Sequence, residues 1–148
     1  MDIFNFKFVT DTSTLCVFDL ECLKHRLDDD VDWWSIPNEE LSEVNNGNVA
    51  FFGLGGDGEF IVKLVDNIGN PKVRTNLKIT SGKVFVGAGE EVTADELEPE
   101  CVRGGAFIDL KAGSYVLSAK CENGVIELAF EPGTKEENDF KDVLRLVE

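Results

Sequence analysis

The sequence predicts a mostly β fold, a two-sheet sandwich or a barrel of about ten strands made of two similar halves, with one or two short helices in an insertion. Three observations lead there. Short runs alternate apolar and polar residues along nearly the whole chain. Turn residues, above all Gly, Asn and Asp, punctuate those runs at short intervals. One strand, turn and strand pattern also occurs twice.

The elements follow in order. Ile3 to Phe8 places Phe4, Phe6 and Phe8 on one face, the period of a half-buried strand. Thr10-Asp11-Thr12-Ser13 is turn material leading into a second strand, Thr14 to Phe18. Asp19 then stands before Leu20, Leu23 and Leu27, whose spacing suits a short amphipathic helix with Asp19 as its cap. The segment from Asp28 to Gly47 is irregular, with Pro37-Asn38 opening a short helix over Glu39 to Val44 and Asn46-Gly47 closing it. Asn48 to Leu54 and Glu59 to Val65 flank a glycine-rich turn and read as a hairpin.

Beyond the turn at 67–71, Lys72 to Ile79 and Lys83 to Val86 are strands. An acidic stretch runs from Glu90 to Glu100, with room for one helical turn at Thr93 to Glu96. Ala106 to Leu110, Ser114 to Lys120 and Val125 to Phe130 supply three more strands. At the end, Phe140, Val143, Leu144 and Val147 fit a helical face, but Asp142 to Val147 also fits a strand, which is the reading taken.

The repeat lies in Ala50-Phe51-Phe52-Gly53-Leu54 against Ala106-Phe107-Ile108-Asp109-Leu110. After a tight turn, Gly58-Glu59-Phe60-Ile61-Val62 matches Gly113-Ser114-Tyr115-Val116-Leu117, and upstream Leu15 to Phe18 lies against Lys83 to Val86. An aromatic after each turn glycine, Phe60 or Tyr115, can point inward and cover one end of the core. The halves run over 14–66 and 82–131 of a single domain. What is not repeated is the insertion from Leu20 to Gly47 and the acidic connection from Glu90 to Glu100. Such additions to a scaffold are where function usually sits.

The size suits one domain with one continuous core, since 148 residues carry 43% hydrophobic side chains. MDIFNFKFVTD has an early Asp and no unbroken apolar run, so neither signal peptide nor membrane anchor is expected and the cytoplasm is the expected location. Cys16, Cys22, Cys101 and Cys121 form no CxxC pair and are expected as reduced thiols, some of them in the core. Lys+Arg 14 against Asp+Glu 29 gives a net charge of −15. A field of that sign repels nucleic acid and anionic membranes and attracts basic partners, although it also serves solubility alone.

Motifs for chemistry are few. Gly53-Leu54-Gly55-Gly56-Asp57-Gly58 satisfies G-x-G-x-x-G, but a strand follows where a dinucleotide site needs a helix N-terminus, so no such cofactor is expected. Asp28-Asp29-Asp30-Val31-Asp32 offers a D-x-D-x-D run with Glu39 at the twelfth position, but Trp33 occupies the sixth, where a calcium loop requires glycine. No metal is expected. His25 is the single histidine; Cys22 lies within reach on a helix, but nothing supplies an orienting group or an oxyanion site. No catalytic residue is assigned.

The candidate binding residues are therefore Asp28, Asp29, Asp30 and Asp32, the adjacent Trp33 and Trp34, and Glu90, Glu91, Asp95 and Glu96 of the acidic connection. Paired tryptophans suit an interface anchor, and they equally suit plugging the core beneath a long loop.

The run L-x-V-x-D, H-R-x-D-D-D-x-D-W-W, G-N-x-x-F and G-D-G-x-F, with G-x-Y-x-L near Gly113, resembles a family of small bacterial domains of uncharacterised function. The resemblance spans Leu15 to about Glu131 and implies a compact β domain of bacterial origin, with no catalytic residues to transfer. The leading functional expectation is a non-enzymatic domain that binds a basic protein through its acidic face, as a toxin-neutralising immunity protein would. The alternatives are a nucleic-acid mimic and a small-ligand or carbohydrate binder using Trp33 and Trp34.

Overall fold

A computed structural model of the chain describes residues 4–26, 36–89 and 104–147. Ten strands form two five-stranded sheets packed as a sandwich, not a closed barrel. The strands are β1 (Phe4–Thr10), β2 (Thr14–Asp19), β3 (Ala50–Gly53), β4 (Gly58–Leu64) and β5 (Val73–Ile79). They continue with β6 (Lys83–Ala88), β7 (Ala106–Asp109), β8 (Gly113–Glu122), β9 (Val125–Pro132) and β10 (Leu144–Arg145). The first sheet has the order β1-β4-β9-β8-β5 and the second β10-β3-β2-β6-β7. A 3-10 helix (Leu20–Arg26) and the helix α1 (Pro37–Asn45) lie between β2 and β3.

Alternation fixes the core. Phe8, Val62, Leu77, Leu117, Ile126 and Leu128 of the first sheet meet Leu15, Val17, Phe52, Val84 and Val86 of the second, all essentially without exposure. Burying each such side chain stabilises the fold by about 1.5–3 kcal/mol, so a one-residue slip in any strand would be strongly opposed.

β2 and β6 are buried on both faces, which their unbroken apolar runs demand. Their outer side chains Cys16, Phe18 and Phe85, with Phe51 of β3, form a second apolar layer. Leu20 and Leu23 of the 3-10 helix and Val44 of α1 cover it, with Phe140 and Leu144 packed against it. The insertion therefore exists in physical terms as the lid of a sheet face that water would otherwise reach. Phe85 stacks at a tilt on Phe107 and edge-on to Phe18, which fixes the layer's geometry.

The hairpin reading of Asn48 to Val65 is corrected, and the matching pair in the second half does not form a hairpin either. β3 belongs to the second sheet and β4 to the first, and β7 and β8 are divided in the same way. The chain crosses the sandwich at each turn instead of folding back on itself. Alternation cannot separate the two cases, because a strand shows the same buried face whichever neighbour it pairs with. The crossings lie side by side. The Leu54 N–H donates to the Ser13 carbonyl at 2.7 Å, and the Leu110 N–H donates to the Gly82 carbonyl at 2.9 Å.

The pairing scheme itself occurs twice. β1 pairs with β4 with Phe8 opposite Phe60, and β5 pairs with β8 with Leu77 opposite Tyr115. β2 pairs with β3 and β6 with β7, and β2 meets β6 antiparallel with Leu15 opposite Ala88 and Asp19 opposite Val84. β9 takes the middle of the first sheet, parallel to β4 and antiparallel to β8. At the C-terminus the strand reading holds over two residues only, with β10 parallel to β3.

Asp19 does more than cap. Its carboxylate, fully buried at the end of β2, accepts the Glu21 N–H at 2.9 Å, as the cap reading expects. It also accepts the Thr80, Ser81 and Gly82 N–H groups at 2.9–3.1 Å and the Ser81 hydroxyl at 2.9 Å. The charge thus closes the β5–β6 turn from a strand more than sixty residues away. Gly82 sits there at φ +89, and a side chain would strike the Leu110 carbonyl.

Candidate functional site

All ten candidate binding residues named from the sequence, Asp28, Asp29, Asp30, Asp32, Trp33, Trp34, Glu90, Glu91, Asp95 and Glu96, lie outside the described residues, as does the helical turn at 93–96. Their flanks are described. The first segment connects the 3-10 helix to α1, both on the outer face of the second sheet. The second leaves β6 at Gly89 and returns at Gly104, which bridges to Phe8 of β1. Among the described residues, no group of three or more His, Cys, Asp or Glu could hold a metal, and no helix is long and apolar enough to cross a membrane. Cys16 and Cys22 are buried, and burial pushes the Cys22 thiol up. The glycines of the G-x-G-x-x-G run do lead into a strand, β4.

The described chemistry gathers around α1 and the segment that follows β9. Pro37 opens α1, where its missing N–H is harmless, and Glu39 in the first turn complements the helix dipole. One turn on, buried Glu43 accepts the Asn48 side-chain amide at 2.7 Å. At the C-terminus Gly47 takes φ +74, and any side chain there would run into the Glu136 carbonyl.

Three asparagines then fasten the returning chain. The Asn138 carbonyl oxygen Oδ1 accepts the Asn76 N–H at 2.8 Å, and its Nδ2 donates to the Val44 and Asn76 carbonyls at 2.8 and 3.0 Å. Asn45 donates to the Phe140 carbonyl at 3.1 Å and accepts the Phe140 N–H at 2.8 Å. Asn76 donates to the Glu137 carbonyl at 2.9 Å. Residues 136–140 are thereby a strap across the edge of β5 and the end of α1.

One groove lies against this strap and another beside α1 and β10. The larger, about 610 Å³, is lined by the cations Arg74 and Lys135 and by Glu137, Asn138 and Asp139. Its charges are mixed and exposed. The smaller, about 340 Å³, lies between the Thr12–Thr14 turn, Phe51, Gly53 and Gly55, Glu40 of α1, and Val143, Leu144 and Arg145. Burial pushes the Glu40 carboxyl up to about 7. No described donor or cation lies within bonding distance of it.

That has a measurable consequence. The folded chain holds the Glu40 proton more tightly than an ordinary carboxyl near 4.5 does, so this stabilisation is complete at low pH and is lost as pH rises through 7. Glu40→Gln is expected to raise Tm at about pH 8 by roughly 2–4 °C, about 1 kcal/mol after allowing for its solvent-facing part, and to leave Tm at about pH 4 unchanged. Thermal melts across that range check it.

Charge is distributed unevenly. The outer face of the first sheet carries Lys7, Lys63, Arg74, Lys78 and Lys120 against Glu59, Glu122, Glu127 and Glu131, by the alternation of β1, β4, β5, β8 and β9. Lys7 pairs with Glu59 at 3.9 Å and Lys120 with Glu127 at 3.3 Å. This face is close to neutral, so the surplus behind the net charge of −15 lies elsewhere.

These features define a class: a two-sheet sandwich with crossed turns and one sheet face covered by a helical insertion and a C-terminal strap. The chain belongs to a family of unknown function, DUF6386, whose model matches residues 1–146. That agrees with the resemblance to an uncharacterised family. No curated protein matches it by sequence. Two solved structures share the fold. The product of crocagin biosynthetic gene J aligns with a TM-score of 0.53 at 12% identity, over 90% of this chain and all of its own. ComJ of Bacillus subtilis, an inhibitor of the DNA degrading activity of NucA, aligns with a TM-score of 0.50 at 10% identity, over 88% of this chain and 94% of its own. At these identities the likeness is one of fold.

Proposed function

We propose that this chain is a non-enzymatic, acidic protein-binding domain that neutralises a basic partner, in the manner of an immunity protein. The observation that carries this reading is the charge: a net −15 that the near-neutral outer face of the first sheet does not hold. The shared fold with ComJ supports it, since ComJ inhibits an activity that degrades DNA. Proteins that engage DNA present Lys and Arg to its phosphates, and an acidic surface meets such a patch with complementary potential.

The binding surface is the additions to the scaffold. We read the chain as two similar halves, about 14–66 and 82–131, a reading supported by the matching pairs β1 with β4 and β5 with β8, with β9 as an unmatched strand. The parts outside that repeat that do not belong to a strand are the insertion, the acidic connection and the strap. Asp28, Asp29, Asp30 and Asp32 supply charge, Trp33 and Trp34 the apolar anchor, and Glu90, Glu91, Asp95 and Glu96 a second acidic margin. The domain works in the cytoplasm without a cofactor, and it binds neither nucleic acid nor membrane directly.

Reversing Asp28, Asp30 and Asp32 to Lys is expected to weaken partner binding at least tenfold at low salt and to flatten its salt dependence. Affinity measured at two ionic strengths tests this. Unchanged affinity and slope would sink the mechanism.

A further inference from the structure

Glu40 is an anomaly in a protein with carboxylates to spare. It faces a groove, is held partly out of water, and among the described residues has no counter-ion. A glutamine would pack the same way without the cost of desolvating a charge. The groove wall is otherwise suited to a cation with a long aliphatic stem. Half-buried Val143 and Leu144 give apolar surface with the buried Phe51 behind them, and the hydroxyl oxygens of Ser13 and Thr14, which donate to Asp57 and to the Thr12 carbonyl, can still accept. One charge opposes this, the exposed Arg145 of β10. Glu39 and Glu43 are the other acids on the helix, and Glu43 is already engaged by Asn48.

We propose that this groove receives one basic side chain of the partner, an arginine or lysine, with Glu40 as its counter-ion. The proposal rests on the reading of the chain as a binder of basic proteins and supplies a contact within the described structure. An arginine lying along Val143 and Leu144 with its head at Glu40 would bury its stem and gain a charge-assisted hydrogen bond. Complex formation would also restore the ionised form that burial disfavours, so affinity should rise between pH 6 and pH 8 more steeply than a screened surface charge allows.

The test does not need the partner. Acetyl-Gly-Arg-Gly-amide is titrated into the isotope-labelled protein at pH 6 and pH 8, with acetyl-Gly-Gln-Gly-amide as control. Amide resonances of Thr12, Thr14, Gly53 and Gly55 are expected to move with the arginine peptide only. The midpoint of the Glu40 carboxyl titration is expected to fall by about one unit or more when the peptide is bound. Glu40→Gln should weaken the response at least tenfold, and Arg145→Gln should strengthen it severalfold by removing the like charge. Resonances that stay still, or a response that both variants leave unchanged, would overturn the groove as a cation subsite. In that event, a basic partner still retained by the whole domain would leave the broader reading intact.

Discussion

Asp19→Ala is expected to cost about 3 kcal/mol, a fall in Tm of roughly 6–12 °C for a chain of this length. The carboxylate is fully buried and accepts four hydrogen bonds from the β5–β6 turn and one from Glu21. Removing it strands the Thr80, Ser81 and Gly82 N–H groups where two strands of different sheets meet. If Asp19 acted only as a helix cap, the loss would be about 1 kcal/mol, the ordinary value for a cap. Asp19→Asn should lose less than Ala, because its amide oxygen can still accept the three turn N–H groups while its N–H₂ faces the Glu21 N–H, itself a donor. Urea denaturation of the three proteins separates the two roles.

Asn138→Ala is expected to cost about 2 kcal/mol and to release the strap from β5. Its three hydrogen bonds satisfy both backbone groups of Asn76 on an edge strand and the Val44 carbonyl in the last turn of α1. Once they are gone, the β5 edge offers unpaired donors and acceptors to other chains. Hydrogen exchange at Asn76 should accelerate by about tenfold or more while the β8 and β9 amides stay protected. Concentration-dependent association should appear as well. Uniform loss of protection across both sheets would mean that the strap belongs to the global folding unit and does not open on its own.

The fold was legible wherever its cause is local. Phe6 and Phe8, the run Leu15 to Phe18, and the glycines before Phe60 and Tyr115 announce strands and their inward faces because side chains alternate every two residues. Pro37 and Gly47 likewise mark α1 through backbone preferences that act on single residues. Pairing was not legible. Gly53 and Gly58 are five residues apart yet pair with Thr14 and Thr10 in different sheets, and no periodicity distinguishes a crossing turn from a hairpin.

The candidate site divides the same way. The aspartates and tryptophans at 28–34 stand out by composition, which speaks to charge and contact area and not to position. Glu40 did not stand out, since one glutamate among many looks like any other until Phe51 and β10 close around it. Asp19 looked like a cap because its cap contact is two residues away, while its other contacts span more than sixty. Asn138 gave no signal at all, lying in a polar run whose partners, Val44 and Asn76, are distant in sequence.

The most direct test of the central claim is an affinity capture with the tagged chain as bait in lysate of its native cells, washed in parallel at about 50 mM and 500 mM salt. Attraction between exposed charges is largely screened at the higher value. The account expects one basic protein retained at low salt, released at high salt, and not retained by the Asp28, Asp30 and Asp32 to Lys variant. A partner that is acidic, or that both the high-salt wash and the variant retain in full, would contradict it.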